Sequence, residues 1–124
     1  IGHIEEPWRD FGWAAARIDD LANFLPARLA AILICLAGHG GWRTLWRDHA
    51  HHASPNAGWP EAAMAGALGV RLAGPISYDG VGHDKPFIGS GGEATPGDLR
   101  RAIRIASLAW LITLMIAGAF AWLA

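Results

Sequence analysis

The stretch Ile105–Ala124, IASLAWLITLMIAGAFAWLA, contains no charged residue, and it limits the folds open to this chain more than any other feature. Twenty residues of α-helix rise about 30 Å, the thickness of a bilayer's hydrocarbon core. A chain of 124 residues has little interior in which to hide such a helix. The segment therefore reads as a transmembrane span rather than a core helix, with Trp110 and Trp122 suited to near-interfacial positions. Arg100, Arg101 and Arg104 precede it; by the positive-inside tendency they place its N-terminal end on the cytoplasmic side. Composition agrees. Charged residues are 17% of the chain, against about 25% in a soluble domain. A net charge of −1 offers no basic footprint for nucleic acid.

Leu21–Trp42 is a second hydrophobic helix, interrupted by Asn23 and Arg28. Pro26 allows a kink or a helix start near Ala27. An arginine at the centre of a span costs at least roughly 2.5–3.5 kcal/mol on insertion scales. Arg28 is thus expected near an interface, snorkelling, or facing a polar cavity, and a re-entrant helix is an alternative to a full span. Cys35, the lone cysteine, excludes an internal disulfide and a CxxC site and reads as a small apolar packing residue.

Ala62–Val70 is apolar but too short to span. Ala62/Gly66 and Ala65/Gly69 are small-xxx-small pairs, which predict close helix packing. Tyr78–Asp98 is rich in glycine and proline and predicts a flexible loop at the membrane surface. Its GSGG run has the backbone freedom to cradle phosphate, but no Lys-Ser/Thr follows, so it is not a P-loop. Strand-like alternation never persists. The expectation is one domain over residues 1–124: an all-α, polytopic integral membrane protein with transmembrane and re-entrant or interfacial helices and a glycine-rich loop. The opening IGHIEEPWRD has no start Met and no signal-like run, as expected of a processed or partial chain.

Polar residues gather at two places. In ARIDDLANFLPAR, Arg17 and Asp20 are three apart and Asp19 and Asn23 four apart, so each pair shares a helix face. Such residues suit a solvated helix start, but beside a membrane helix they are costly and more often functional. In RDHAHHASPNAGWPE, the His49, His51 and His52 cluster fits no standard zinc spacing. Pro60 is expected as the first residue of a helix, with Glu61 in the first turn where the dipole favours its charge. Ser54, Asn56 and Glu61 would then ring a helix N-terminus that attracts anions, a site for phosphate or carboxylate at a membrane interface.

Two segments, FGWAAARIDDLANFLPARLAA and RDHAHHASPNAGWPEAAMAGALGVRLAGPISYDG, resemble the C-terminal part of the CobD/CbiB family of cobalamin biosynthesis. The final hydrophobic helix fits as well. The resemblance implies adenosylcobinamide-phosphate synthase, a multi-pass enzyme of the bacterial inner membrane with its site facing the cytoplasm. That enzyme joins adenosylcobyric acid to aminopropanol or aminopropanol phosphate using ATP and Mg²⁺, the corrinoid being substrate. Carried over by motif, Glu61, His52 and Asp20 are the implied catalytic residues. Arg17, Asp19, Asn23, Arg28, Arg47, Asp48, Ser54, Asn56 and Tyr78 are the implied substrate or phosphate ligands, with Asp19, Asp20 and Glu61 available to Mg²⁺ and His52 as acid or base. The family's chains are more than twice as long. The other half of the protein, or a larger membrane assembly, is therefore an expected partner besides lipid. The alternatives are a shortened relative serving as a structural membrane subunit, and a transporter, for which the glycine loop and the SPN motif have no rationale.

Overall fold

In the computed structural model, residues 9–78 and 81–124 are described, without the side chains of residues 9, 76–78 and 81–83. Five helices run α1 (Arg9–Ala22), α2 (Phe24–Ala37), α3 (Trp42–Asp48), α4 (Gly58–Leu68) and α5 (Pro96–Leu123), with a 3₁₀ turn at His49–His51. Five short strands lie between α4 and α5: β1 (Val70–Ala73), β2 (Ile76–Tyr78), β3 (Val81–His83), β4 (Phe87–Ile88) and β5 (Gly92–Glu93).

The expected Leu21–Trp42 helix is three elements. Pro26 has no N–H to give the carbonyl of Ala22 and its ring crowds that carbonyl, so the chain breaks at Asn23 and α1 meets α2 at 44°. The second break follows from glycine. Gly41 takes φ +93°, and a Cβ there would lie 2.7 Å from the carbonyl oxygen of Ala63, so the turn into α3 presses against α4 as only glycine permits.

Alanine makes the core. Ala31, Cys35, Leu45, Ala62, Ala63, Ala65 and Ile88 form one buried cluster. Of the small residues expected to bring helices together, Ala62, Ala65 and Gly66 do so, whereas Gly69 is the left-handed cap that ends α4 and a Cβ there would meet nothing within 4 Å. A Cβ on Gly66 would stand 2.7 Å from the Cα of Gly41, and one on Gly38 would stand 2.6 Å from the Cβ of Ala67. With so little side-chain volume between them, α2, α3 and α4 approach almost backbone to backbone.

The all-α expectation needs correcting. β1 pairs antiparallel with β4 and parallel with β5, while β2 and β3 form a hairpin. Strands of two to four residues are too short to show alternation. Within GSGG, a Cβ on Gly91 would fall 1.8 Å from the Gly69 carbonyl oxygen. This glycine serves close packing of the β4–β5 turn against β1, so residues 87–93 of the segment expected to be a flexible loop are instead pinned to the sheet, while residues 79 and 80 of it lie outside the described residues.

Thr95 and Asp98 form a reciprocal capping box at the start of α5, with Pro96 at the first helical position. Arg101 donates to the Asp98 carboxylate and to the Leu68 carbonyl at the end of α4. Beyond Thr113 every residue of α5 is exposed, Trp122 at 88%. α5 is long and apolar enough to cross a membrane, and the bent α1–α2 pair passes the same test as one broken span.

Candidate functional site

The α1–α2 break, the first turn of α4 and the loop between α3 and α4 enclose an open cleft of about 1180 Å³. Arg17, Asp19, Asp20, Asn23, Arg28, His52, Ser54 and Asn56 line it. On α1 the helix spacing acts as expected: Arg17 donates to Asp20 at 3.4 Å, and Asn23 donates to the Asp19 carboxylate at 2.9 Å and to its carbonyl at 3.1 Å.

Asn56 is the junction. Its side chain, with the residue only 6% exposed, donates to the Asp20 carbonyl at 2.7 Å and accepts from Arg28 at 3.2 Å. Arg28 also donates to the Phe24 carbonyl at 2.6 Å. Its guanidinium lies 3.5 Å from the ring centre of Phe24 and 4.6 Å from that of Trp59. Among the described residues these partners are all neutral. Among the described residues no carboxylate pairs directly with Arg28, a held cation that suits an anionic group entering the cleft.

Across the cleft, the Ser54 N–H donates to His52 Nδ1 at 2.9 Å. The lone pair is therefore at Nδ1, and in the neutral ring the proton is at Nε2. Nε2 stands 3.9 Å from the Glu61 carboxylate, beyond direct hydrogen-bond length. The Ser54 hydroxyl accepts the N–H groups of Asn56 and Ala57, both at 3.3 Å.

The anion site expected at the tip of α4 is not what is built. The helix starts at Gly58, two residues before Pro60. Ser54 takes two of the N–H groups leading into it, the Asn56 carbonyl takes that of Trp59 at 3.2 Å, and Pro60 has none. The cation facing the cleft is Arg28 instead. Nor are the three carboxylates considered for magnesium gathered: among the described residues no three His, Cys, Asp or Glu side chains form a metal-sized group. Asp19 is engaged by Asn23 and Asp20 by Arg17, while Glu61 faces His52.

Arg47 and Asp48 lie off the cleft. Asp48, 1% exposed, accepts two hydrogen bonds from Arg47, at 2.5 and 2.7 Å, and one from the Gly89 N–H at 2.8 Å. Hydrogen bonding by Arg47 holds the Asp48 carboxyl below the usual carboxylate range; burial opposes this and the Gly89 N–H adds to it. The pair clasps the β4–β5 turn to α3, and His51 adds a bond from Nδ1 to the Phe87 carbonyl at 3.0 Å. Tyr78 sits in β2, and its side chain lies outside the described residues.

Two aromatic partners of Arg28, Phe24 and the cleft residue Trp59, escaped the sequence reading. The four-residue spacing of Phe24 and Arg28 could have revealed the first. Trp59 joins Arg28 to an aromatic group with His49, at 4.3 Å between ring centres, and Trp46, at 5.5 Å, and nothing local announces it.

The sequence matches the model of a family described as CobD/Cbib protein over residues 1–106, ending just inside the uncharged helix. It is 43% identical over 132 residues to cobalamin biosynthesis protein CobD of Klebsiella pneumoniae, covering 99% of this chain and 41% of that protein. It is 49% identical over 109 residues to CobD of Rhodobacter capsulatus (85% and 35%), and 42% identical over 124 residues to CbiB of Salmonella typhimurium (94% and 39%). The chain thus spans roughly two-fifths or less of the length of these curated relatives. No solved structure matches it.

Proposed function

The chain belongs to the CobD/Cbib family, and from that premise we propose that it carries the catalytic cleft of an ATP-dependent amide ligase of cobalamin biosynthesis. The substrates of that reading are adenosylcobyric acid and aminopropanol or its phosphate. The observation that supports it best is Arg28, held by Asn56 and two aromatic rings at the cleft wall with only neutral partners among the described residues. A cation fixed this way stabilises a transferring phosphoryl group without reorganising.

Amide formation from a carboxylate needs activation. A carboxylate oxygen attacks the γ-phosphorus of ATP, the bond to the bridging oxygen breaks, and ADP leaves. The amine nitrogen then attacks the acyl carbon, the C–O bond to phosphate breaks and inorganic phosphate departs, while the nitrogen loses a proton. Arg28 and, at the rim, Arg17 bind the phosphoryl oxygens. His52, whose proton is at Nε2 in the neutral ring, donates a hydrogen bond to the departing phosphate, and Glu61, beside it, accepts the proton of the amine. Magnesium bound with the nucleotide would neutralise phosphate charge; Asp19 and Asp20 suit it, because Mg²⁺ beside phosphates takes only one or two carboxylates. In this reading the protein is a multi-pass component of the bacterial inner membrane. The cleft opens to the cytoplasm, and polypeptide corresponding to the rest of the relatives' length, or a larger membrane assembly, completes its walls.

The test is ATP-dependent formation of adenosylcobinamide phosphate by the protein purified in detergent. Asp20→Asn and Glu61→Gln should each lower kcat/KM at least tenfold, the lower end of a typical general-base contribution being about a hundredfold. Wild-type rates in both variants would sink the site assignment.

A further inference from the structure

At the other end of α2 from the cleft, Arg101 and Arg104 line two adjoining recesses. One, of about 600 Å³, lies at the start of α5 and is also lined by Thr95, Gly97 and Arg100. The other, of about 260 Å³, is a groove in which the two arginines meet Ala37, Gly38, Ala67, Ile105 and Leu108, so that polar and apolar atoms share its lining. A basic recess thus adjoins a groove of mixed lining at the foot of α5, the longest apolar helix among the described residues.

We propose that this double recess binds one anionic phospholipid, its phosphate on the arginines and the upper part of an acyl chain in the groove. The proposal rests on the reading of α5 as a membrane span. Arg100 and Arg104 are four residues apart and share a helix face about 6 Å apart at their Cβ atoms, a spacing two guanidinium groups need to hold one phosphate. Arg101 is already oriented, by the Asp98 carboxylate at 3.1 Å and the Leu68 carbonyl at 3.3 Å. Asp98, the acidic residue of the recess, accepts from Thr95 N–H at 3.0 Å and Thr95 hydroxyl at 2.6 Å as well as from Arg101; its charge is spent on the helix cap. What remains is cationic. The groove exists because Gly38 and Ala67 meet at contact distance, leaving no side chain to fill the space beside Leu108. A soluble anion would use the arginines alone; a lipid also meets Ile105 and Leu108 beside them, and basic pockets among helices on the cytoplasmic side are where anionic headgroups settle.

The experiment is lipid retention by the detergent-purified protein, read by native mass spectrometry and by thermal stabilisation, with phosphatidylglycerol, phosphatidylcholine and inorganic phosphate as probes. Phosphatidylglycerol should be retained about thirtyfold over phosphatidylcholine, the equivalent of about 1 kcal/mol for each of two basic residues at an anionic surface. The R100Q/R104Q double variant should lose the preference, while R104K, which keeps the charge, should retain most of it with the same helical circular dichroism. Equal retention of the two lipids, a preference undisturbed in R100Q/R104Q, or full stabilisation by inorganic phosphate would each overturn the proposal. Release of the protein from membranes by alkaline carbonate would overturn the span itself, an outcome separate from a failed lipid preference in protein that stays membrane-bound.

Discussion

Replacing Asn56 by alanine should destabilise the fold before it touches chemistry. The amide is nearly buried and makes two hydrogen bonds that no neighbour can replace: one to the Asp20 carbonyl at 2.7 Å and one from Arg28 at 3.2 Å. The neutral bond is worth about 1 kcal/mol and the charged one about 1.5–3 kcal/mol. Arg28 is only half-buried and keeps the Phe24 carbonyl, so the second value is taken at its lower end. The sum is about 2–3 kcal/mol. For a domain of this size that lowers Tm by roughly 6–15 °C, measured by circular dichroism at 222 nm in detergent. Asn56→Asp separates scaffold from charge. It keeps an acceptor for Arg28 and forms an ion pair, but sets a carboxylate against the Asp20 carbonyl and cancels the cation. It should lose phosphate-bearing ligands more severely than alanine does. If Asn56→Ala melts within 1 °C of the wild type yet loses nucleotide affinity tenfold, Asn56 contacts ligand directly and the positioning argument is wrong.

Glycine positions give a second set of outcomes. Gly58→Ala puts a Cβ 2.0 Å from the His49 carbonyl oxygen and Gly66→Ala one 2.7 Å from the Gly41 Cα. Both neighbours are backbone, so losses of about 1–3 kcal/mol are expected, the larger at Gly58. Gly118→Ala in α5 meets nothing within 4 Å and should be neutral or stabilising by up to about 1 kcal/mol; a thermal shift series on the three variants checks the order. Asp48 sets an acid limit. Because its folded pKa is depressed, its contribution is complete above the unfolded value of about 3.9 and is lost as pH falls through the lower folded value. Melting curves from pH 7 down to 3 should fall steeply at the acid end in the wild type, whereas Asp48→Asn should be less stable at pH 7 and flatter.

Contacts within one helix were legible in the sequence. Arg17 with Asp20 and Asp19 with Asn23 follow from spacing alone, and Ala62, Ala65 and Gly66 announced close packing of α4, although Gly69 serves as its cap instead. What crosses the chain was not. Arg28 and Asn56 are 28 residues apart, and no local pattern encodes their meeting. The strands escaped because two to four residues cannot display a period, and their glycines, which resemble loop punctuation, are there for backbone approach to β1. Asp48 was grouped with the site because it lies in the same motif as His52 and Ser54; its partners place it in the clasp beneath that motif instead.

The broken helix and the SPN loop depend on each other, which explains why polar residues adjoin a helix with almost no side chains. A proline-broken helix frees backbone carbonyls, and in an apolar setting each unsatisfied one costs several kcal/mol. At this break the Asp19 carbonyl keeps the Asn23 backbone N–H and also accepts the Asn23 side chain, while Asn56 reaches the Asp20 carbonyl from a distant loop. Asn56 can reach only because α4 carries alanine and glycine where it meets α2 and α3: larger residues at 62, 63 or 66 would push the helices apart and lift the loop from the break. The same amide then fixes Arg28. Bulk added deep in α4 should therefore act at the cleft, some distance away. Ala63→Leu, at a fully buried position, should weaken the Asn56–Arg28 junction as well as the core. It should thus lose ligand affinity even in protein that still gives a helical spectrum. If folded Ala63→Leu binds nucleotide as the wild type does, the small-residue packing and the cleft are independent, and this coupling is refuted.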